Sequence, residues 1–137
     1  MTMTPPDHVR LLSPATLAPS VGYSQLAEIT GGKLILLSGQ VAFDTARSLV
    51  GPGDFRAQAR QVFENIKTAL AAVSADFSHV VKLNLYLLDR ANLPILREVR
   101  DAYVNVQAPP ASTLLIVSGL AQENFMLEVE AMACLPA

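Results

Sequence analysis

The chain has 137 residues, of which 51% are hydrophobic and only 16% charged, with a formal net charge of −2. That length predicts one domain, and so little charge, against roughly 25% in an average soluble domain, predicts that part of the surface is covered in a homo-oligomer. No apolar run approaches the ~18 residues of a membrane span, the start MTMTPPDHVR lacks the pattern of a secretory signal, and the net charge gives nucleic acid no electrostatic footprint.

In chain order, residues 1–12 read as a loose tail and residues 13–137 as a single domain. Glu28 to Thr30, the pair Gly31-Gly32 and the run from Lys33 predict a hairpin. Lys33 to Leu37 is apolar nearly throughout, as a strand covered on both faces is. The loop that follows has room for one short strand. Phe55, Ala59, Val62, Phe63, Ile66, Ala69, Leu70 and Val73 then form one apolar stripe at helical period. Asp54, just after Gly51-Pro52-Gly53, is placed to cap that helix.

Val81, Leu83, Leu85 and Leu87 alternate with Lys82, Asn84 and Tyr86, which is strand periodicity. Leu96, Val99, Tyr103 and Val106 mark a second helix, with Asn92 as its cap, Pro94 in its first turn and Pro109-Pro110 beyond its end. Thr113 to Val117 reads as another strand covered on both faces. In the last strand Phe125, Leu127, Val129, Ala131 and Ala133 oppose Met126, Glu128, Glu130 and Met132. Half of all the charged residues fall in the two helical stretches, residues 54–67 and 89–101. The order predicts an α+β domain: a mixed sheet with two helices on one face, its other face rich in Leu, Ile and Val and in need of a partner subunit.

Few residues carry recognisable chemistry. The two histidines are His8, in the expected tail, and His79, at the start of a strand, where a structural role outweighs a catalytic one. No Cys-x-x-Cys or His-x-x-x-His spacing occurs, so a metal site is not expected. Cys134 is the single cysteine; it excludes an intramolecular disulfide, reads as a buried inert thiol, and points to a cytoplasmic setting. Gly31-Gly32 and Gly51-Pro52-Gly53 are turns by composition and not phosphate loops. Ser38-Gly39-Gln40 closes an apolar strand as an end or a bulge. Glu128 and Glu130 share one strand face, which must be wet, paired or at an interface, because an unpaired buried carboxylate is costly.

Taken together, Gly22-Tyr23-Ser24-Gln25, Ser38-Gly39-Gln40, the long helix with Asn65, Val80-Val81-Lys82, Pro110-Ala111-Ser112-Thr113 and Glu128-Val129-Glu130-Ala131 resemble the YjgF/RidA (reactive intermediate deaminase) family. The resemblance runs from about Pro19 to Cys134, almost the whole chain. It implies a chorismate-mutase-like subunit in a homotrimer, with sheets packed toward the centre and ligand clefts between subunits. It also implies, for deaminase members, cofactor-free hydrolysis of a small 2-imino or 2-enamino acid to a 2-keto acid and ammonia. That reaction needs a cation for the substrate carboxylate and a carboxylate that orients water toward the imine carbon.

By the same resemblance Glu128 falls on the water-positioning glutamate, while Tyr23, Ser38, Gly39 and Gln40 line the cleft. The family's Pro-Ala-Arg-Ser/Thr motif reads Pro110-Ala111-Ser112-Thr113 here, so Ser112 stands in the place of the arginine that clamps the substrate. A hydroxyl donates one hydrogen bond and does not replace a bidentate ionic clamp. The family's proline between Gly22 and Tyr23 is also missing. Arg97 stands where deaminase members often carry Asn, and it has two readings: it restores a cation to the cleft, or it pairs with Asp101 on a solvated helix face.

Two principal functions are therefore carried forward. One is a protein that binds a small carboxylate or carbonyl/imine-like metabolite between subunits, Ser112 arguing against general 2-imino acid deaminase activity. The other is an active imine or enamine hydrolase with Glu128 positioning water. An endoribonuclease or translation-inhibitor role, known from older descriptions of the family, is opposed by the acidic charge balance.

Overall fold

The structure, a computed structural model, describes residues 4–137. Strand β1 spans Val9–Leu12, β2 Leu26–Ile29 and β3 Lys33–Gln40; helix α1 spans Phe55–Ala71. They are followed by β4 (Val80–Leu87), α2 (Leu93–Asp101), β5 (Ala111–Ile116) and β6 (Leu127–Leu135). Strands β3, β6, β4 and β5 lie side by side in that order. The β4–β5 pair is parallel, joined by a crossover through α2, and the β3–β6 and β4–β6 pairs are antiparallel. The fold is α+β, as the order of periodicities predicts.

Helix α1 forms where the apolar stripe begins. Asp54 caps it, its side chain accepting from the Ala57 N–H at 3.1 Å. Phe55, Ala59, Val62, Phe63, Ile66 and Leu70 are buried against β3 and β6. The stripe stops one turn early: the helix ends at Ala71, and Val73 is exposed. Helix α2 packs on α1 through Leu96 and Val99, but it ends at Asp101, leaving Tyr103 beyond it, stacked on Phe63, and Val106 exposed. Asn92 makes no side-chain cap; Asp89 caps the preceding 3-10 turn instead, accepting from the Ala91 N–H at 2.9 Å. His79 closes a capping box with Asp76 ahead of β4, its Nδ1 accepting from the Asp76 N–H at 3.0 Å. That is a structural role.

Three expectations are corrected at the N-terminal end and across the sheet. The expected tail contains β1, whose Val9 packs with Val81 and Cys134, so ordered structure starts before residue 13; residues 1–3 lie outside the described residues. Gly31-Gly32 is a turn, but β2 pairs with β1 and β3 with β6, so no hairpin joins β2 to β3. The reason is that Gly31 and Gly32, both at positive φ, redirect the chain from the β1–β2 ribbon into the main sheet. Finally, β3 and β5 are covered on one face only within the chain. Leu34 (59% exposed) and Leu36 (67%) stand with Met132 and Leu115 on the face away from the helices.

Among the described residues, the core holds one polar side chain that is fully buried. Gln58, on the apolar side of α1, donates to the carbonyls of Gly51 (3.1 Å) and Asn124 (3.0 Å) and accepts from the Met126 N–H (3.0 Å). It joins the entry to α1 with the entry to β6. Replacing it with leucine keeps the volume but leaves these buried groups unpaired, each costing about 1–3 kcal/mol. Gln58→Leu is therefore expected to lower stability by at least about 3 kcal/mol, read as a fall in the urea midpoint with an unchanged slope; an unaltered midpoint would contradict this role.

Candidate functional site

A cleft of about 550 Å³ opens at the β3 edge, between α1 and the segments that follow β3 and precede β6. Its walls include Gly39, Gln40, Phe43, Arg47, Asn65 and Glu128. Pairing of β3 with β6 slips between Leu37 and Gln40, so Ser38-Gly39 forms a bulge. Glu128 lies directly over that bulge: a Cβ on Gly39 would stand 2.8 Å from the Glu128 carboxyl carbon. Gly39 thus lets the carboxylate lie across the edge strand and reach the cleft.

The wall of the cleft is fixed from α1. Asn65 donates to the carbonyls of Val41 (3.0 Å) and Phe43 (2.8 Å), and Gln61 holds the Asn65 carbonyl oxygen at 2.8 Å. Gln58 fixes the other side through Asn124 and Met126. Glu130, two residues beyond Glu128, has a different role. Its Oε1 accepts from the Tyr86 hydroxyl (2.6 Å) and from Asn84 Nδ2 (3.0 Å) on the open sheet face. That hydrogen bond raises the Tyr86 pKa above the usual tyrosine value, because loss of the phenol proton would set a second negative charge beside the carboxylate.

The other predicted site residues lie elsewhere. Tyr23 lines a separate hollow with Gly22, Ser24 and the 106–109 segment. Ser24 is buried there; its hydroxyl donates to the Pro109 carbonyl at 2.6 Å, and it bridges Ala111 beside Ser112. Ser112 is paired with Leu83 on β4, whereas Tyr86, the partner of Glu128, is paired with Leu115. Ser112 and Glu128 therefore leave opposite faces of the sheet, with β4 between their strands. One chain carries Ser38, Gly39, Gln40 and Glu128 at one edge and Tyr23 and Ser112 at the other. It does not bring the two groups together.

Arg97 is exposed on α2 and borders neither group. It does not pair with Asp101, whose carboxylate is held by Arg100 at 2.8 Å. Arg100, one turn further along, packs its guanidinium against Gly22, the neighbour of Tyr23. Three residues that shape the Glu128 cleft went unread in the sequence: Gln58, Phe43 and Arg47. The available signal for Gln58 was its place at i+3 from Phe55, a polar residue inside an apolar stripe. Among the described residues no group of three or more His, Cys, Asp or Glu side chains is arranged to hold a metal ion. No helix there is long and apolar enough to cross a membrane.

A two-helix α+β subunit with a glutamate lying over an edge-strand bulge defines a class of small cleft-bearing proteins. Residues 13–135 match the family model described as Endoribonuclease L-PSP, and the chain belongs to that family, the YjgF/RidA proteins. It is 38% identical over 121 residues to Protein DfrA of Myxococcus xanthus, covering 88% of each chain. It is 28% identical to a 2-iminobutanoate/2-iminopropanoate deaminase of Dermatophagoides farinae, covering 88% and 89%. The crystal structure of YyfB, a Rid-family protein of unknown function from Yersinia pestis, superposes with a TM-score of 0.85 at 33% identity, covering 93% of this chain and 99% of that one.

The contact between Gly39 and Glu128 is directly testable. Gly39→Ala is expected to fold and to swing the Glu128 carboxylate out of the cleft, since the new methyl occupies its place. A crystal structure of the variant with the carboxylate unmoved would contradict that packing argument.

Proposed function

We propose that the chain binds a small metabolite, carboxylate or carbonyl/imine-like, in clefts completed between the subunits of a homotrimer. No cofactor takes part, and general 2-imino acid deaminase activity is weakened by Ser112. The observation that carries this reading is the division of the site residues, with Glu128 and the Ser38-Gly39-Gln40 bulge at one sheet edge and Tyr23 and Ser112 at the other. Only a second copy can set one group against the other. The open sheet face supports assembly, because Leu34, Leu36, Met132 and Leu115 are large apolar side chains left to solvent in a single chain. Arg97 is exposed on α2 and lies outside both groups, so this reading gives it no ligand contact within one chain. A cytoplasmic setting accords with the single buried thiol, Cys134.

An active imine hydrolase is the second reading, favoured by the relatives named as 2-iminobutanoate/2-iminopropanoate deaminases. In that chemistry Glu128 orients a water toward the imine carbon; the C–O bond forms, nitrogen takes up protons, and the C–N bond breaks to give keto acid and ammonia. A nuclease role, as in the family's description, fits poorly with a net charge of −2.

Generating iminobutyrate enzymatically in the presence of the protein separates the first two readings. Binding without catalysis predicts no acceleration of its decay at micromolar protein, and Ser112→Arg is expected to confer it. Acceleration by the natural chain that Glu128→Gln abolishes would instead establish the hydrolase. Assembly is tested separately. Leu36→Asp is expected to convert a trimer into monomers in sedimentation equilibrium, since it places a charge on the open face; a natural chain that sediments as a monomer would refute the trimer.

A further inference from the structure

The Glu128 cleft contains a cation of its own. Arg47 lines it, at the tip of the segment between β3 and α1. That tip is tightly built: the Asp44 side chain accepts from the N–H groups of Ala46 and Ser48, both at 2.9 Å. Asp44 N–H donates to the Ser48 carbonyl and Arg47 N–H to the Asp44 carbonyl, both at 3.0 Å. Arg47 closes the turn at φ +61°, the left-handed region where glycine carries no steric cost. Its guanidinium lies 5.0 Å from the centroid of the Phe43 ring. Phe43 is itself held edge-on against buried Phe125, ring centres 5.2 Å apart. Two aromatic rings therefore fix the direction of the charge.

No carboxylate lies within ion-pair distance of Arg47 among the described residues. The acidic groups that share its cleft are Asp44, whose Oδ1 is taken by two backbone N–H groups, and Glu128. The chain thus keeps a strained arginine, oriented by an aromatic face and free of a protein anion, in the cleft of its candidate carboxylate. Backbone strain of this kind persists where something else selects the side chain. Ser74, the other non-glycine residue at positive φ among the described residues, lies in the turn just after α1 and needs no such explanation.

We infer that Arg47 is the ligand-binding cation of this protein: it takes the carboxylate of a small 2-oxo or 2-imino acid in the Glu128 cleft, supplying from the β3–α1 segment the charge that Ser112 does not. The inference rests on the cleft reading given above. The guanidinium fork receives the carboxylate, and the planar carbonyl or imine carbon then lies toward Glu128. The cleft becomes selective for acids over their neutral counterparts.

Calorimetry with 2-oxobutanoate and its neutral amide, on the natural chain and on Arg47→Gly, tests this. Glycine relieves the left-handed strain, so the variant is expected to melt within about 4 °C of the natural chain, which separates binding from folding. The acid is expected to bind the natural chain and to lose about 10- to 100-fold in affinity in Arg47→Gly, with the amide weak on both. Arg47→Lys is expected to fall between them, keeping charge without the fork. Equal binding of acid and amide, or undiminished binding of the acid by Arg47→Gly, would overturn the role of Arg47 and leave the cleft reading standing. Failure of both probes to bind the natural chain at millimolar concentration would remove both.

Discussion

Two amide side chains on one helix hold the working edge of this molecule in place. Gln58 and Asn65, two turns apart on α1, bind five backbone groups between them, in the segments that lead out of β3, into α1 and into β6. Irregular segments cannot satisfy their own backbone groups as helices and strands do, so a segment packed against a core needs donors and acceptors from elsewhere. Here α1 supplies them. Because its apolar stripe is locked onto β3 and β6, the amides are held rigidly and the segments they bind inherit that rigidity. The Glu128 cleft is thus a consequence of helix packing.

The same edge shows how a missing side chain can place a functional one. β3 bulges at Ser38-Gly39, and the absence of a Cβ at Gly39 is what lets the Glu128 side chain lie across the strand. Glu130, on the same face of β6 and two residues along, has no such gap. It is engaged by Tyr86 and Asn84 and serves the sheet. Two glutamates identical in periodicity acquire different roles because one neighbour has a glycine and the other has hydrogen-bond donors. On the open face, apolar residues on β3, β5 and β6 surround this polar set, leaving a surface suited to another subunit.

Much of this architecture was legible residue by residue. The Phe55–Leu70 stripe, its Asp54 cap, the alternation of β4 and β6 and the bulge-prone Ser38-Gly39-Gln40 all follow from local rules, and each stands in the structure. The errors share a cause. Whether β2 pairs with β3, where the apolar period of α2 stops being helical, and whether Arg97 or Arg100 takes Asp101 are decided by which neighbours the fold delivers. The short, half-exposed β1 has too little alternation to announce itself, and it forms because β2 is there to receive it.

The sequence by itself determined the family, the α+β class, the helix stripe and the alternating strand faces, since periodicity, capping and ordered motifs depend on residues close together in the chain. Tertiary structure alone decided which charges meet. It set Arg47 and Glu128 around one cleft although 81 positions separate them, and it sent Ser112 and Glu128 to opposite faces of one sheet. Strand order and register, which no local pattern encodes, govern both outcomes.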